Sequence, residues 1–499
     1  MLCFVTLFCN KNEQTIKGRK SGMESNTKLT HEPTTSKKKF TMPHIYVILF
    51  VFIALAAVAT YFVPAGVYER IPGPEGRTTI DPNSFQLVEQ SPVGLTDFMT
   101  AIPRGLVAAG EVVFFTFIIG GIFSVIRKTG LIEIGVDRLT RRFSNNSIAL
   151  ISVLMIVFAM ICSLIGTQEL SLVYVPVILP LMIALGYDSV VAVAVSLLAT
   201  TAGFTTGFLN PINTGLGQKL SGLPVFSGIE LRMIAFAAFV IAGIFYLIRY
   251  AKKVKMDPTS SLVYEEDTVK RQAYFRQMDT KKRTITGRQR LASVFLLAFF
   301  VLLIYGVLAQ GWFMLEMAGL FILMGIVVGL IAGLNLTNIC EGFNEGFRDV
   351  LVGAIIVGVA RAVAVVMEDG QVMDTIVHSL GNVVGEFPAV LSAIGMFIVQ
   401  MLFNFLVPSG SGQALVTMPI MAPLSDLIGV TRQTAVLAFQ FGDGIGNILY
   451  PTSGYFMATL ALAGVSWQKW VRFYLPLFGI WFSIAIVFLI FAQVIQWNG

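Results

Sequence analysis

The chain has 499 residues, of which 55% are hydrophobic and only 13% charged. Its mean hydropathy of +0.77 excludes an ordinary soluble domain and reads as a polytopic membrane protein. The formal charge of +6 is gathered in a few loops, so it reports orientation in a bilayer and not a nucleic-acid surface.

Residues 1–41 are polar, without periodicity, and are expected to form a disordered cytoplasmic tail. Lys37, Lys38 and Lys39 precede the first apolar run, Ile45–Val63. Basic residues stay inside, so this span is predicted to run outward, with the N-terminus cytoplasmic. The loop Pro64–Asp97 carries more acid than base and suits the outer side. Leu106–Ile126 then returns towards Arg127, Lys128, Arg138, Arg141 and Arg142. Two apolar arms follow, Ile148–Ile165 and Leu170–Leu185, joined by Gly166-Thr167-Gln168-Glu169. They read as a helical hairpin over 148–186 entered from the cytoplasm. Ser189–Leu209 crosses outward and breaks at Asn210-Pro211, and Leu231–Tyr250 comes back.

Residues 251–290 hold eleven lysines and arginines and are predicted to be a cytoplasmic linker between the halves 42–250 and 291–499. Leu291–Leu308 goes out, Phe313–Leu334 returns and Val350–Val366 goes out again. A second hairpin, 389–429, then enters from the outside, Thr434–Leu449 crosses inward, and Leu475–Val494 exits past Lys469 and Arg472. Each hairpin arm has about 16–19 residues, against the roughly 20 that span a bilayer. A hairpin and a pair of full spans give the same parity, so charge alone does not separate them.

The second half repeats the first. Pro176-Val177-Ile178-Leu179-Pro180-Leu181 with Gly186 matches Pro419-Ile420-Met421-Ala422-Pro423-Leu424 with Gly429, both reading P-x-x-x-P-L-x-x-x-x-G. Gly166–Glu169 precedes the first copy, where Ser409-Gly410-Ser411-Gly412 precedes the second. Asn210-Pro211-Ile212-Asn213-Thr214 follows the first, where Gly442–Asn447 and Tyr450–Gly454 follow the second. Opposite orientations from charge and an internal repeat from motif together predict an all-α polytopic membrane protein. It would be an inverted-repeat transporter with about nine full spans and two re-entrant helical hairpins.

Gly and Pro at the tips and breaks stop helices, and broken backbone at bilayer depth survives only in protein or beside a polar cavity. Asp443 between two glycines therefore reads as a ligand for substrate or coupling cation, or as a helix cap in a wet crevice. Glu169 faces the same cavity or is solvated. Ser409, Gly410, Ser411 and Gly412 offer hydroxyls and close backbone approach, or form an ordinary turn. Gly166, Thr167, Asn210, Asn213, Thr214, Asn447, Thr452 and Ser453 supply neutral donors and acceptors, some for a ligand and others for backbone. Arg361 and Glu111 lie within apolar spans; Arg361 is expected to pair with a carboxylate on a neighbouring helix, or else with a substrate carboxylate. Gly442–Gly446 lacks the preceding strand and the lysine of a nucleotide loop. No cofactor is expected. Na+ is the only metal considered, without assigned ligands, because His31, His44 and His378 are scattered and no cysteines pair as C-x-x-C.

The runs Gly410-Ser411-Gly412-Gln413-Ala414, Thr417-Met418-Pro419, Val436–Gly444 and Tyr450-Pro451-Thr452-Ser453 resemble the YfcC family, as does Leu185-Gly186-Tyr187-Asp188-Ser189. That family stands with the DcuC-type anaerobic C4-dicarboxylate carriers and is similar to the ArcD-type arginine/ornithine antiporters. The resemblance covers about residues 42–495. It implies a secondary carrier of the bacterial inner membrane in the ion transporter superfamily, with an elevator-like movement and homodimers. Relatives often carry two adjacent acids at the first hairpin tip; here Leu170 takes the second place, leaving Glu169 alone.

The expected function is thus secondary active transport of a small organic solute, with the lipid bilayer and that solute as partners. Glu169 and Asp443 lean towards a cationic amino acid such as arginine or ornithine. A Na+- or H+-coupled C4-dicarboxylate carrier fits the same residues. An integral-membrane enzyme is the rival class, and the scattered histidines speak against it.

Overall fold

The computed structural model describes residues 45–73, 78–143, 146–278, 285–310, 312 and 314–499. The expected tail lies outside the described residues, as do Lys281, Lys282 and Arg283 of the basic segment. A chain this apolar satisfies its backbone within helices, the economical solution where lipid offers no hydrogen bonds. Among the described residues, eight helices are long and apolar enough to cross a membrane, and four shorter apolar helices accompany them.

One group of helices gathers around a long spine. It contains α1 (Ile45–Ala59), α2 (Leu95–Ala108) and α3 (Gly110–Lys128) from the first half of the chain. After α4 (Leu131–Phe143) come the elements of the second group. These are α5 (Ser147–Ile165), α6 (Leu170–Ala184), α7 (Ser189–Thr205), the short α8 (Leu216–Leu220) and α9 (Ile229–Met256). The span expected over Leu106–Ile126 is α3 from Gly110 on; its first residues end α2, because Ala109 leaves helical geometry at φ −95°, ψ 13° and Gly110 starts a new helix. The loop 64–97 is not structureless either. It holds two small antiparallel ribbons, β1 (Gly66–Val67) with β4 (Gln86–Leu87) and β2 (Arg70–Pro72) with β3 (Thr78–Ile80).

The segment after α9 makes a short turn at Pro258–Ser260 and then α10 (Tyr264–Met278). α10 is anchored by Asp267, which is fully buried. Its carboxylate accepts from the Ser189 backbone N–H at 2.6 Å and hydroxyl at 2.5 Å, at the start of α7. Lys270 reaches the same carboxylate at 2.8 Å.

α11 (Gly287–Gln310) and α12 (Met314–Ala332) rejoin the first group, and α13 (Leu336–Asp369) is its spine, 34 residues long. Small residues let α13 approach closely: Gly346 lies against the Gly120 backbone and Gly358 against Gly105, the packing that membrane helices use in place of a hydrophobic drive. α14 (Met373–Gly385) packs against the ribbons. Asp374 accepts from the Tyr68 backbone at 3.0 Å and from Arg70, and His378 stacks on Phe85 at 4.0 Å.

The second group is completed by α15 (Ala389–Leu406), α16 (Gly410–Leu427), α17 (Arg432–Gly446), α18 (Gly454–Ala463) and α19 (Trp467–Val494). α7 and α17 are its innermost members. Every residue of α7 is buried, and so is all of α17 after Arg432. Helices apolar or small all round belong inside, and these two cross where their polar residues can meet.

Candidate functional site

Asp443 is fully buried in the last turns of α17. The expected break at Gly442–Asn447 is not where the helix stops; α17 runs through Gly442-Asp443-Gly444 to Gly446, and the chain leaves helical geometry after Asn447. Asp443 therefore caps no helix N-terminus. Its carboxylate accepts from three side-chain amides instead: Asn213 Nδ2 at 2.7 Å, Asn404 Nδ2 at 2.9 Å and Asn447 Nδ2 at 3.4 Å. Asn447 follows Asp443 by four residues, so both project from one face.

Both breaks and both interrupted tips meet here. The turn between α5 and α6 passes through Gly166 at φ +82°, and a methyl there would overlap the Asn210 amide. Only glycine combines that left-handed backbone with so close an approach. The Asn210 Oδ1 accepts from the Asn213 backbone N–H at 3.0 Å, which shapes the segment that delivers Asn213 to Asp443. From the other tip, a methyl built on Gly410 would lie 2.8 Å from Asp443 Oδ2 and 2.8 Å from the Phe204 ring. Glu169 is partly buried at the N-cap of α6, where its side chain makes no capping hydrogen bond. Gln168 accepts from the Tyr455 hydroxyl at 2.6 Å.

Two other expected site residues, Ser409 and Thr214, bond backbone groups. Ser409 caps α16 by accepting from the Gly412 N–H at 3.4 Å. Thr214 donates to the Gly207 carbonyl at 2.5 Å. The Thr167 carbonyl accepts from the Cys162 thiol at 3.3 Å. Ser411 is partly exposed. Thr452 and Ser453 are buried with unpartnered hydroxyls at the start of α18, where Gly454 packs on Val357 of α13. Arg361 does not reach a neighbouring helix; it pairs with Glu368 on its own helix at 3.2 Å, and Glu111 is exposed in the first turn of α3.

Sequence reasoning passed over Asn404, Gln400, Gln413 and Gln440. Asn404 gives its amino group to Asp443 and also to Gln413 and Asn447, each at 3.2 Å. Gln413 donates to Gln400 Oε1 at 2.7 Å, and Thr417 to the same atom at 3.0 Å. Gln400 and Asn404, four apart in an apolar arm, present one polar stripe, the signal that was there to read. Two amide oxygens beside the carboxylate, Asn213 Oδ1 and Asn404 Oδ1, are buried and have no protein partner. Both amides present their amino ends to Asp443, so the anionic oxygens of the site are those of its carboxylate, a hard donor that suits Na+, an ammonium or a guanidinium.

A family model described as "C4-dicarboxylate anaerobic carrier" (DcuC) matches residues 42–494. A protein of Escherichia coli (strain K12) named "Putative basic amino acid antiporter YfcC" is 33% identical over 501 residues, covering 92% of this chain and 98% of that one. An uncharacterized protein of Haemophilus influenzae (strain ATCC 51907 / DSM 11121 / KW20 / Rd) is 29% identical over 504 residues, with the same coverage of 92% and 98%. Of solved structures, the YdaH transporter of Alcanivorax borkumensis aligns with a TM-score of 0.42 at 15% identity, over 91% of this chain and 99% of that one. MtrF of Neisseria gonorrhoeae, described with a class of antimetabolite efflux pumps, aligns at 0.38 and 16%, over 90% and 95%. The match along nearly the whole chain and the identity to YfcC agree with the helical membrane architecture: the chain is a multi-pass membrane transporter and belongs to the DcuC family.

Proposed function

We propose that the chain is a secondary active transporter of a cationic amino acid such as arginine or ornithine, working by alternating access in the bacterial inner membrane. One observation carries this reading. Asp443 is fully buried and, among the described residues, no lysine or arginine pairs with it or with Glu169. A buried carboxylate without a counter-charge is costly, so the site calls for a cation at each cycle. The solute's own guanidinium or ammonium supplies it, or Na+ or H+ does as coupling ion. For Na+, the Asp443 carboxylate would be the charged ligand. The tips Gly166–Glu169 and Ser409–Gly412 close on the solute from the two re-entrant hairpins. These move against the α13 group in a homodimer whose N-termini are cytoplasmic.

The family's description favours a second reading, a Na+- or H+-coupled C4-dicarboxylate carrier, in which the same acids bind the coupling ion. Counterflow into proteoliposomes separates the two. Loaded with L-arginine, vesicles are expected to accumulate labelled L-arginine or L-ornithine and to ignore succinate. Accumulation of succinate that depends on a Na+ or pH gradient, with none of the basic amino acids, would refute the first reading and leave the second.

A further inference from the structure

Arg232 lies in the first turn of α9, fully buried. Its hydrogen bonds all go to neutral acceptors. Nε donates to Gln440 Oε1 at 2.8 Å, Nη2 to Gln433 Oε1 at 3.1 Å, and Nη1 to the carbonyls of Ser227 and Gly228 at 2.8 and 3.2 Å. The Trp497 ring centroid lies 4.8 Å from its Cζ. Among the described residues no carboxylate pairs with it. An arginine held in the interior without an anion is costly, and a neutral residue would fill the space more cheaply. Its place there needs a reason other than packing.

The reason lies in the direction of the bonds. A guanidinium only donates, so Gln440 must turn its carbonyl oxygen to Arg232. Its amino group is thereby turned the other way, where it donates to the Thr214 hydroxyl and, at 3.4 Å, to the Gly207 carbonyl. Thr214, having accepted, donates its own proton to Gly207. Each bond from α9 to the broken segment 207–215 thus runs one way, set by the end that cannot reverse. Without Arg232 the Gln440 amide is free to flip, and the segment loses a donor. That segment also carries Asn213, whose amide meets Asp443 at 2.7 Å. Gln440 and Asp443 stand three residues apart on α17, on one face, and grip the adjacent residues Thr214 and Asn213.

We propose that Arg232 is a positioning residue of the transport site: acting through Gln440, it fixes segment 207–215 and so the placement of Asn213 against Asp443. This rests on Asp443 being part of the solute site. Fixing the amide costs nothing at the moment of binding, because the orientation is already set, which is how preorganisation raises affinity.

The test uses the full-length protein in proteoliposomes with three variants, Arg232→Gln, Gln440→Leu and Gln440→Glu. The last is the most telling. Its introduced carboxylate still accepts from Arg232, now as an ion pair, yet has no proton to give Thr214 when ionised. Amide hydrogen exchange of a peptide spanning 206–221 is expected to speed up by roughly tenfold in all three, the worth of one hydrogen bond to a charged chain of partners. The half-saturating concentration of L-arginine in counterflow is expected to rise by a similar factor, with maximal rate changed less. Should Arg232→Gln fail to fold, Gln440→Glu carries the test. Wild-type exchange over 206–221 in Gln440→Glu would overturn the inference. So would slower transport with an unchanged half-saturating concentration. If the unmodified protein moves no L-arginine, the reading of the substrate fails, and the exchange measurement still decides the role of Arg232.

Discussion

Alanine at Gly410 puts one methyl into the tightest place beside Asp443. That methyl would lie 2.8 Å from Asp443 Oδ2 and equally near the Phe204 ring. Carbon contacts settle at about 3.5–4.0 Å, so each neighbour must retreat by about 1 Å. Neither retreats easily. Asp443 is held at 2.7 Å by Asn213 and at 2.9 Å by Asn404, and Phe204 is buried in α7. Overpacking of this kind costs about 1–3 kcal/mol. Against it, alanine is favoured over glycine in a helix by about 1 kcal/mol. Overall stability should therefore change by about 2 kcal/mol at most. If the strain falls on the solute site, affinity drops by roughly 5- to 150-fold. Gly412 is the control two residues on. Its methyl would meet Ser409 Oγ at 3.3 Å and Val407 at 3.5 Å, and the exposed Ser409 can yield. The assay is the half-saturating concentration of L-arginine in counterflow at equal reconstitution, with a melting curve for each protein. Gly410→Ala should be impaired while Gly412→Ala stays near the original. Equal behaviour of the two, in either direction, would refute the steric argument.

Asn404→Leu removes the donor that Asp443, Gln413 and Asn447 share. A buried acceptor left short costs about 1–3 kcal/mol, so the half-saturating concentration should rise by at least roughly fivefold; an unchanged value would take Asn404 out of the site. Asp267→Asn removes the anion that Ser189 and Lys270 share, and a hydrogen bond to a charged group is worth about 1.5–3 kcal/mol. The melting temperature in detergent should fall, and an unaltered melt would mean that α10 is not an anchor. Thr259→Cys, exposed after α9, should react with an impermeant thiol reagent only from the cytoplasmic side. Labelling of intact cells from outside would reverse the proposed orientation.

Much of the helical layout was legible because the interruptions are chemical. The apolar run stops at Gly166–Glu169, and α5 and α6 end and begin at Ile165 and Leu170 on either side of it. Asp443 was legible as a buried charge in an apolar stretch, but its setting was not. Gly442 and Gly444 read as helix breakers from propensity alone. In the fold they let the α15 backbone and Thr205 press against α17, and packing outweighs a propensity cost of about 1 kcal/mol each. Arg232 went unread for a different reason. A single basic residue at a span's edge has no partner in the local sequence, and its partner Gln440 lies 208 residues away, so only the fold reveals it. Asn404 stood in a readable stripe with Gln400, but its partner Asp443, 39 residues on, did not show there.

The account turns on the charge of Asp443, and one substitution isolates it. Asp443→Asn keeps the shape and removes the anion that would meet the cation. A charge-assisted contact is worth about 1.5–3 kcal/mol, or roughly tenfold to a hundredfold in affinity. Uptake into proteoliposomes is measured against the concentration of L-arginine and, separately, of Na+ and of H+, in both proteins at equal reconstitution. We expect the dependence on L-arginine or on the coupling ion to shift by that factor towards weaker binding. Identical dependence on all three in Asp443→Asn would contradict the account and leave Glu169 as the only acid at the site.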